Sequence, residues 1–261
     1  WRVQIPFLVT YQSAENTTKK NFTVLITIVK VPTTQNPAGI GIDQFVMSGK
    51  GVIVFADGVT VDRGLQAAPN ESSIFKLLKS YGVTVNKTLV FDPASRAQAS
   101  FSQGPGQFFI TYYGYWPKIP GSGFNSENVL VNNLESLVLP WASTLNLQDA
   151  KNAEVLVKTG NGASVVGDSF DLSPQAMPQG GESLGGDAVA VRINGSLKSY
   201  FSEPIQREGE ETTSENMIKS VDAARLIVVS DADILTDSFL QRFESNVVFI
   251  QNLVDGFTLD E

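Results

Sequence analysis

The chain contains no cysteine and no histidine. Without cysteine it has no disulfide bond, no thiolate zinc site and no cysteine nucleophile. Without histidine it has no Ser-His-Asp triad, no imidazole base and no histidine metal ligand. These absences exclude most hydrolase chemistry, and no specific catalytic motif indicates an enzyme. What is left to the chain is carboxylate, lysine or tyrosine chemistry, or Mg²⁺ or Ca²⁺ held by oxygen ligands.

Basic clusters and long apolar runs are also missing. The net charge is −8, and no cluster of lysine and arginine suited to a phosphate backbone is present, so we expect no nucleic-acid partner. The longest apolar stretch, residues 22–31, is far shorter than the roughly 20 residues that a membrane span needs. The start at Trp1 has no signal-peptide pattern, and we expect an excised soluble part of a longer protein.

The apolar residues make up 42% of the chain and are arranged for an α/β core. Apolar, β-branched runs at residues 51–56 and 22–29 are typical of strands buried on both faces of a parallel sheet. A helix between them ends at Gly49, and a second helix is predicted at about residues 71–81. The sequence therefore predicts an α/β fold with an open, mostly parallel sheet.

The rest of the chain predicts a second lobe. Residues 1–96 and 221–261 are expected to form the α/β core, because a strand at 224–229 and a long helix at 240–257 return to it. Residues 97–220 are expected to form an inserted β-rich lobe with loop excursions, including an acidic one at 203–220.

Aromatic residues are concentrated in one part of that lobe. Tyr112, Tyr113, Tyr115 and Trp116 are candidates for stacking on sugars or for contacting a partner protein. The alternative is that the same residues fill the core beneath a long loop, and the sequence favours this second interpretation.

Four aspartates follow predicted strands. Asp57, Asp92, Asp231 and Asp233 come after the strands at 51–56, 83–91 and 224–229, and ligands of parallel sheets bind outside the carboxyl ends of strands. If the four carboxylates converge, they suit Mg²⁺ and a transferase or phosphohydrolase mechanism. The alternative is that they cap helices and close turns.

One pattern runs in order through seven segments of the chain, at residues 42–57, 77–86, 89–93, 133–143, 188–201, 225–235 and 246–255. It includes Asp43, Gln44 and Phe45 before the strand that Asp57 follows, and a closing helix. Together these segments resemble one known family, the GldG-type auxiliary components of ABC-2-type transporters linked to gliding motility, which usually has glycine at the position of Ser230.

This resemblance implies a Rossmann-like core, a position on the extracytoplasmic side, and anchoring to the inner membrane by segments outside this chain. It implies a non-enzymatic domain without a cofactor that binds the transporter permease, another membrane component, or a polysaccharide or lipid-linked cargo. Asp57, Asp231 and the aromatics at 112–116 are the candidate contact residues. The alternatives are the Mg²⁺-dependent enzyme above and a free solute-binding protein, which would have two similar lobes around a hinged cleft.

Overall fold

The computed structural model describes residues 2–12, 17–27, 40–148, 152–167, 169–175, 177, 182–183, 186–203 and 217–258. The chain divides into two compact units, residues 1–38 and residues 39–261.

The first unit contains an antiparallel pair of strands. β1 (Arg2–Gln12) and β2 (Thr17–Thr27) pair along their whole length, with Arg2 opposite Thr27. The expectation of a parallel-sheet strand at residues 22–29 is therefore wrong for residues 22–27, which pair with β1 in the antiparallel direction. Residues 28–29 lie outside the described part of the chain, as does most of the predicted excursion, at 204–216.

The second unit carries the remaining elements. In chain order they are α1 (Ile40–Met47), β3 (Gly51–Phe55), β4 (Val59–Val61), β5 (Ala67–Pro69), α2 (Ile74–Ser80), β6 (Val83–Val85), β7 (Leu89–Phe91), β8 (Arg96–Gly104), β9 (Gln107–Pro120), β10 (Ser136–Val138), β11 (Leu145–Leu147), β12 (Ala153–Lys158), β13 (Ser164–Val166), β14 (Glu182–Ser183), β15 (Ala188–Lys198), β16 (Ser220–Val229), α3 (Asp237–Arg242) and α4 (Glu244–Thr258).

A six-stranded sheet organises this unit. Its strands lie in the order β3-β16-β15-β11-β6, and β12 pairs with β15 as well. The long pair β15–β16 is antiparallel, with Ala190 opposite Val229, whereas β3 runs parallel to β16, with Phe55 opposite Val229. Strands from residues 97–220 thus share a sheet with β3 and β16, and the lobe boundaries at 97 and 220 stay a prediction.

The predicted fold class, an α/β fold with an open, mostly parallel Rossmann-like sheet, is wrong. The protein is mostly β, with mixed and antiparallel sheets, and β3–β16 is the parallel pair among the described strands. The cause of the error is burial on both faces: Leu226 and Val228 of β16 enter one core cluster, whereas Ile227 and Val229 enter another. Such a strand is apolar throughout whichever way its neighbours run, so the apolar run did not determine strand direction.

A third core cluster is aromatic. The hairpin β8–β9 carries Tyr113 into it, where Tyr113 lies 5.0 Å from Phe101 and 6.0 Å from Trp116, ring centroid to ring centroid. Gly114 is required by this packing, because a Cβ atom there would lie 2.2 Å from Cε2 of Phe91. The hairpin is therefore held to the body of the unit by one of its two faces.

The chain ends in two helices where the sequence predicted one. α3 and α4 are separated at Phe243, which has extended backbone angles (φ −124°, ψ 94°). The ring of Phe243 stacks 6.3 Å from Phe239 and lies 6.5 Å from Trp116, so the break places it against the aromatic cluster. The predicted helical face is present, but its periodicity did not show that the helix is interrupted.

Candidate acidic site and exposed hairpin

Three of the four predicted aspartates meet at the end of the parallel strand pair. β3 ends at Phe55 and β16 at Val229, which are opposite each other in the parallel register. The amide of Ala56 donates to the carbonyl of Val229 at 2.9 Å and extends this pairing by one residue. Asp57 and Asp231 therefore leave the sheet side by side, and Asp233 follows on the next turn.

The carboxylates of Asp57, Asp231 and Asp233 form a compact group. One oxygen of each lies within 4.8 Å of the others. Backbone amides bond to two of the carboxylates: the Ala232 amide donates to Oδ1 of Asp57 at 2.5 Å, and the Ile234 amide donates to Oδ1 of Asp231 at 3.1 Å. Oδ2 of Asp231 is buried and receives no hydrogen bond from the described residues.

Burial raises the pKa of all three carboxyls, and like charge raises it further for Asp231 and Asp233. Desolvation raises the pKa of Asp231 well above its usual value, and the charges of Asp57 and Asp233 raise it further. Desolvation, then the charge of Asp57, raises the pKa of Asp233 to about 6. The pKa of Asp57 is raised by desolvation against the lowering effect of its hydrogen bond from Ala232. The three carboxyls therefore hold their protons more tightly than free aspartates do, and joint ionisation of the group is unfavourable unless a cation compensates it.

Asp92 does not belong to this group. Its Oδ1 accepts hydrogen bonds from the amides of Ala94 at 2.9 Å and Ser95 at 2.8 Å, which close the turn after β7. For Asp92 the structure thus favours the turn-closing interpretation.

The hydroxyl of Ser230 donates to the carbonyls of Ser143 at 2.7 Å and Val189 at 3.0 Å, which ties the start of the acidic turn to its neighbours.

The aromatic candidates are divided between core and surface. Tyr113, Tyr115 and Trp116 are buried in the aromatic cluster, where core packing accounts for them. Tyr112 is 56% exposed and remains a candidate contact residue.

Sequence reasoning missed two neighbours of Tyr112. Phe108 and Ile110 are 69% and 66% exposed, and they alternate along β9 with residues that point into the unit. Phe108, Ile110 and Tyr112 are therefore on one face of the strand. Exposed and inward-facing residues alternate over 108–112, which is the pattern of a half-buried strand. The sequence did not show it, because every residue of this segment except Thr111 is apolar or aromatic.

The family of the chain follows from a match over almost its entire length. The model of a family described as an ABC-type uncharacterized transport system matches residues 7–253. The chain belongs to this family. The family is one of auxiliary components of ABC transport systems, and the resemblance to GldG-type proteins fits it.

A relative from Borreliella burgdorferi, described as an uncharacterized protein, is 27% identical over 181 residues. The match covers 62% of this chain and 34% of that protein, so the chain spans about a third of the relative's length. Among the described residues of this family member, no helix has both the length and the apolar character needed to cross a membrane.

Proposed function

We propose that this family member is a non-enzymatic domain that docks on a membrane component of its ABC transport system through the exposed face of the β8–β9 hairpin. Family membership supports the transport system as the setting. The resemblance to GldG-type proteins supports the extracytoplasmic side, anchoring by other parts of the protein, and a gliding-motility-like system with a surface polymer as cargo.

The observation that carries the proposal is the exposed apolar row, defined as Phe108, Ile110 and Tyr112. All three side chains are more than half exposed on one strand, whereas scattered single apolar residues are the usual pattern of a protein surface. Aromatic residues in such a row are typical of the centre of a protein–protein interface.

The surroundings of the apolar row favour an uncharged protein surface as its partner. Ser102, Ser100 and Gln98 lie directly opposite the three residues on β8 and share their face. No charged residue occurs between Arg96 and Lys118 in the sequence. The hairpin itself thus offers no charged side chain, although Arg242 of α3 donates to the carbonyl of Gln98 at 2.8 Å. We therefore expect contact with the row to depend mainly on apolar burial.

The hairpin presents this row on a rigid base. On its other face Phe101 lies 5.6 Å from Phe109 and 5.0 Å from Tyr113, and Ala97 and Ala99 are buried. Docking therefore does not require the strand to be ordered first, which removes one cost of binding.

The test is co-purification of this protein, in its full-length form, with the permease of the same transport system from detergent-solubilised membranes. The double variant Phe108→Ser, Ile110→Ser is expected to lose the permease without a change in melting temperature, because both side chains are exposed. The matched control is Val129→Ser, which removes a side chain that is 74% exposed outside the hairpin. Retention of the permease by the double variant would contradict the proposal. Hairpin-dependent binding of lipid vesicles or of a polysaccharide, without the permease, would do so as well.

The convergence of Asp57, Asp231 and Asp233 favours a second candidate, an Mg²⁺-dependent transferase or phosphohydrolase. Its carboxylates meet the distance requirement for a shared cation. However, three cavities of about 400 to 510 Å³ are lined by residues other than these aspartates. Release of phosphate from nucleotide or sugar-phosphate substrates, abolished by Asp231→Asn, would establish the enzyme and displace the first proposal.

A further inference from the structure

We propose that Asp57, Asp231 and Asp233 bind a divalent cation, Mg²⁺ or Ca²⁺, and that the free Oδ2 of Asp231 is its innermost ligand. This inference is independent of the docking hairpin, which lies on other elements.

The first argument is the uncompensated charge of the group. Three carboxylates have oxygens within 4.8 Å of one another. Within the described parts of the chain, no lysine or arginine forms an ion pair with any of them. Like charges at such distances repel each other strongly in a partly buried site, and a divalent cation is the group that turns this repulsion into attraction.

The second argument is the unpaired oxygen of Asp231. This residue has no exposed surface, yet its Oδ2 receives no hydrogen bond from the described residues. Buried polar atoms are nearly always paired, and a buried carboxylate oxygen without a partner is strongly unfavourable. A cation in contact with this oxygen and with oxygens of Asp57 and Asp233 supplies the missing partner.

The third argument is that the backbone holds the ligands in place before a cation arrives. The Ala232 amide fixes one oxygen of Asp57 and the Ile234 amide fixes one oxygen of Asp231. Neither of these two bonds uses Oδ2 of Asp57 or Oδ2 of Asp231, so both oxygens are available to the ion. Because Asp57 and Asp231 continue directly from paired strands, little conformational freedom is lost when the ion binds.

The ligand set selects the class of ion. Carboxylate oxygens suit hard cations such as Mg²⁺ and Ca²⁺, whereas zinc and copper sites draw on histidine or cysteine, which this chain lacks. Asp57 and Asp233 are only half-buried, so water reaches the open side and completes the coordination. The bound ion would tie the ends of β3 and β16 to the turn that precedes α3.

The experiment is isothermal titration of the chelator-treated protein with MgCl₂ and with CaCl₂, paired with melting curves against KCl at matched ionic strength. We expect saturable binding of one ion per chain, and a rise in melting temperature, with at least one of the two cations. Asp231→Asn is expected to weaken this binding by more than about tenfold, because the innermost charged ligand is lost.

The matched control is Asp92→Asn, another aspartate after a strand whose Oδ1 already receives two backbone hydrogen bonds and which retains an oxygen there. It is expected to bind the cation as the unchanged protein does. Asp233→Asn, at the half-buried position, provides a second test should Asp231→Asn fail to fold. A flat titration with both cations, or equal affinity in the unchanged protein and in Asp233→Asn and Asp231→Asn, would overturn the inference and leave the docking proposal untouched.

Discussion

Asn246 is the buried side chain that fastens the last helix to the β-structure, and we expect its replacement by alanine to be strongly destabilising. It lies in the first turn of α4 and has no exposed surface. Its Oδ1 accepts a hydrogen bond from the amide of Val138 at 3.1 Å, and its Nδ2 donates to the carbonyl of Val138 at 2.8 Å. The side-chain amide thus pairs with both backbone groups of Val138, as the backbone of a neighbouring strand would.

The magnitude follows from the two backbone groups that Asn246→Ala leaves behind. The N–H and C=O of Val138 are both buried and lose their partner in the variant. An unsatisfied buried donor or acceptor costs roughly 1–3 kcal/mol, so for the two groups the free energy of unfolding is expected to fall by about 2–6 kcal/mol. This is a large part of the roughly 5–15 kcal/mol that stabilises a typical domain.

Urea unfolding followed by tryptophan fluorescence measures this loss, because Trp116 and Trp141 both belong to the aromatic cluster. The matched control is Asn252→Ala on the same helix, which removes one hydrogen bond, from Nδ2 to the carbonyl of Leu130 at 3.0 Å, at a partly buried position. We expect that control to lose less than about 1.5 kcal/mol. A loss for Asn246→Ala no larger than that of the control would refute the reasoning.

Three further predictions test other parts of the unit. In the presence of a chelator, the contribution of Asp233 to stability is expected to be lost as the pH rises from about 4 to about 6, because its raised pKa means that the folded state holds the proton more tightly than the unfolded state. The pKa shift from 3.8 to about 6 corresponds to a free-energy contribution of about 3 kcal/mol, which solvent screening at this half-buried site reduces to about 1–2 kcal/mol. Melting curves in which Asp233→Asn keeps the full pH dependence of the unchanged protein would contradict this. Gly114→Ala is expected to lower the free energy of unfolding by about 1–3 kcal/mol or more, because the Cβ atom of the alanine would overlap the ring of Phe91. A urea midpoint equal to that of the unchanged protein would contradict this, since it would show that the ring moves aside at no cost. Tyr81→Phe removes the hydroxyl that donates to Oδ1 of buried Asp43 at 2.8 Å, and a loss of about 1.5–3 kcal/mol is expected, to be checked by chemical unfolding against the exposed control Tyr200→Phe.

Individual strands and helices were predictable where the apolar pattern agreed with the residues that mark the end of a helix or strand. The strand at 51–56 and the strand at 224–229 are confirmed as β3 and β16, and the helix at 71–81 is confirmed as α2. The predicted strand at 83–91 is instead two short strands, β6 and β7, which belong to different sheets. A continuous apolar pattern does not show where a chain leaves one sheet and enters another.

The candidate site was predictable in part for a related reason. Because Asp57, Asp231 and Asp233 follow strands, the sequence indicated which carboxylates end at a sheet edge. It did not show that Asp92 ends at a different place, since that depends on which strands pair. The exposed row at Phe108, Ile110 and Tyr112 was hidden because the residues on both faces of β9 are apolar or aromatic.

The sequence by itself determined the chemistry that is excluded, the family to which the chain belongs and the position of several strands and helices, because these depend on residue type and local order. Tertiary structure alone decided the strand directions, the break at Phe243 and the meeting of three aspartates. The physical reason is that strand pairing and core packing join residues far apart in the chain. Val229 lies beside Phe55 and Ala190 at once, and that arrangement gives Asp57 and Asp231 their common site.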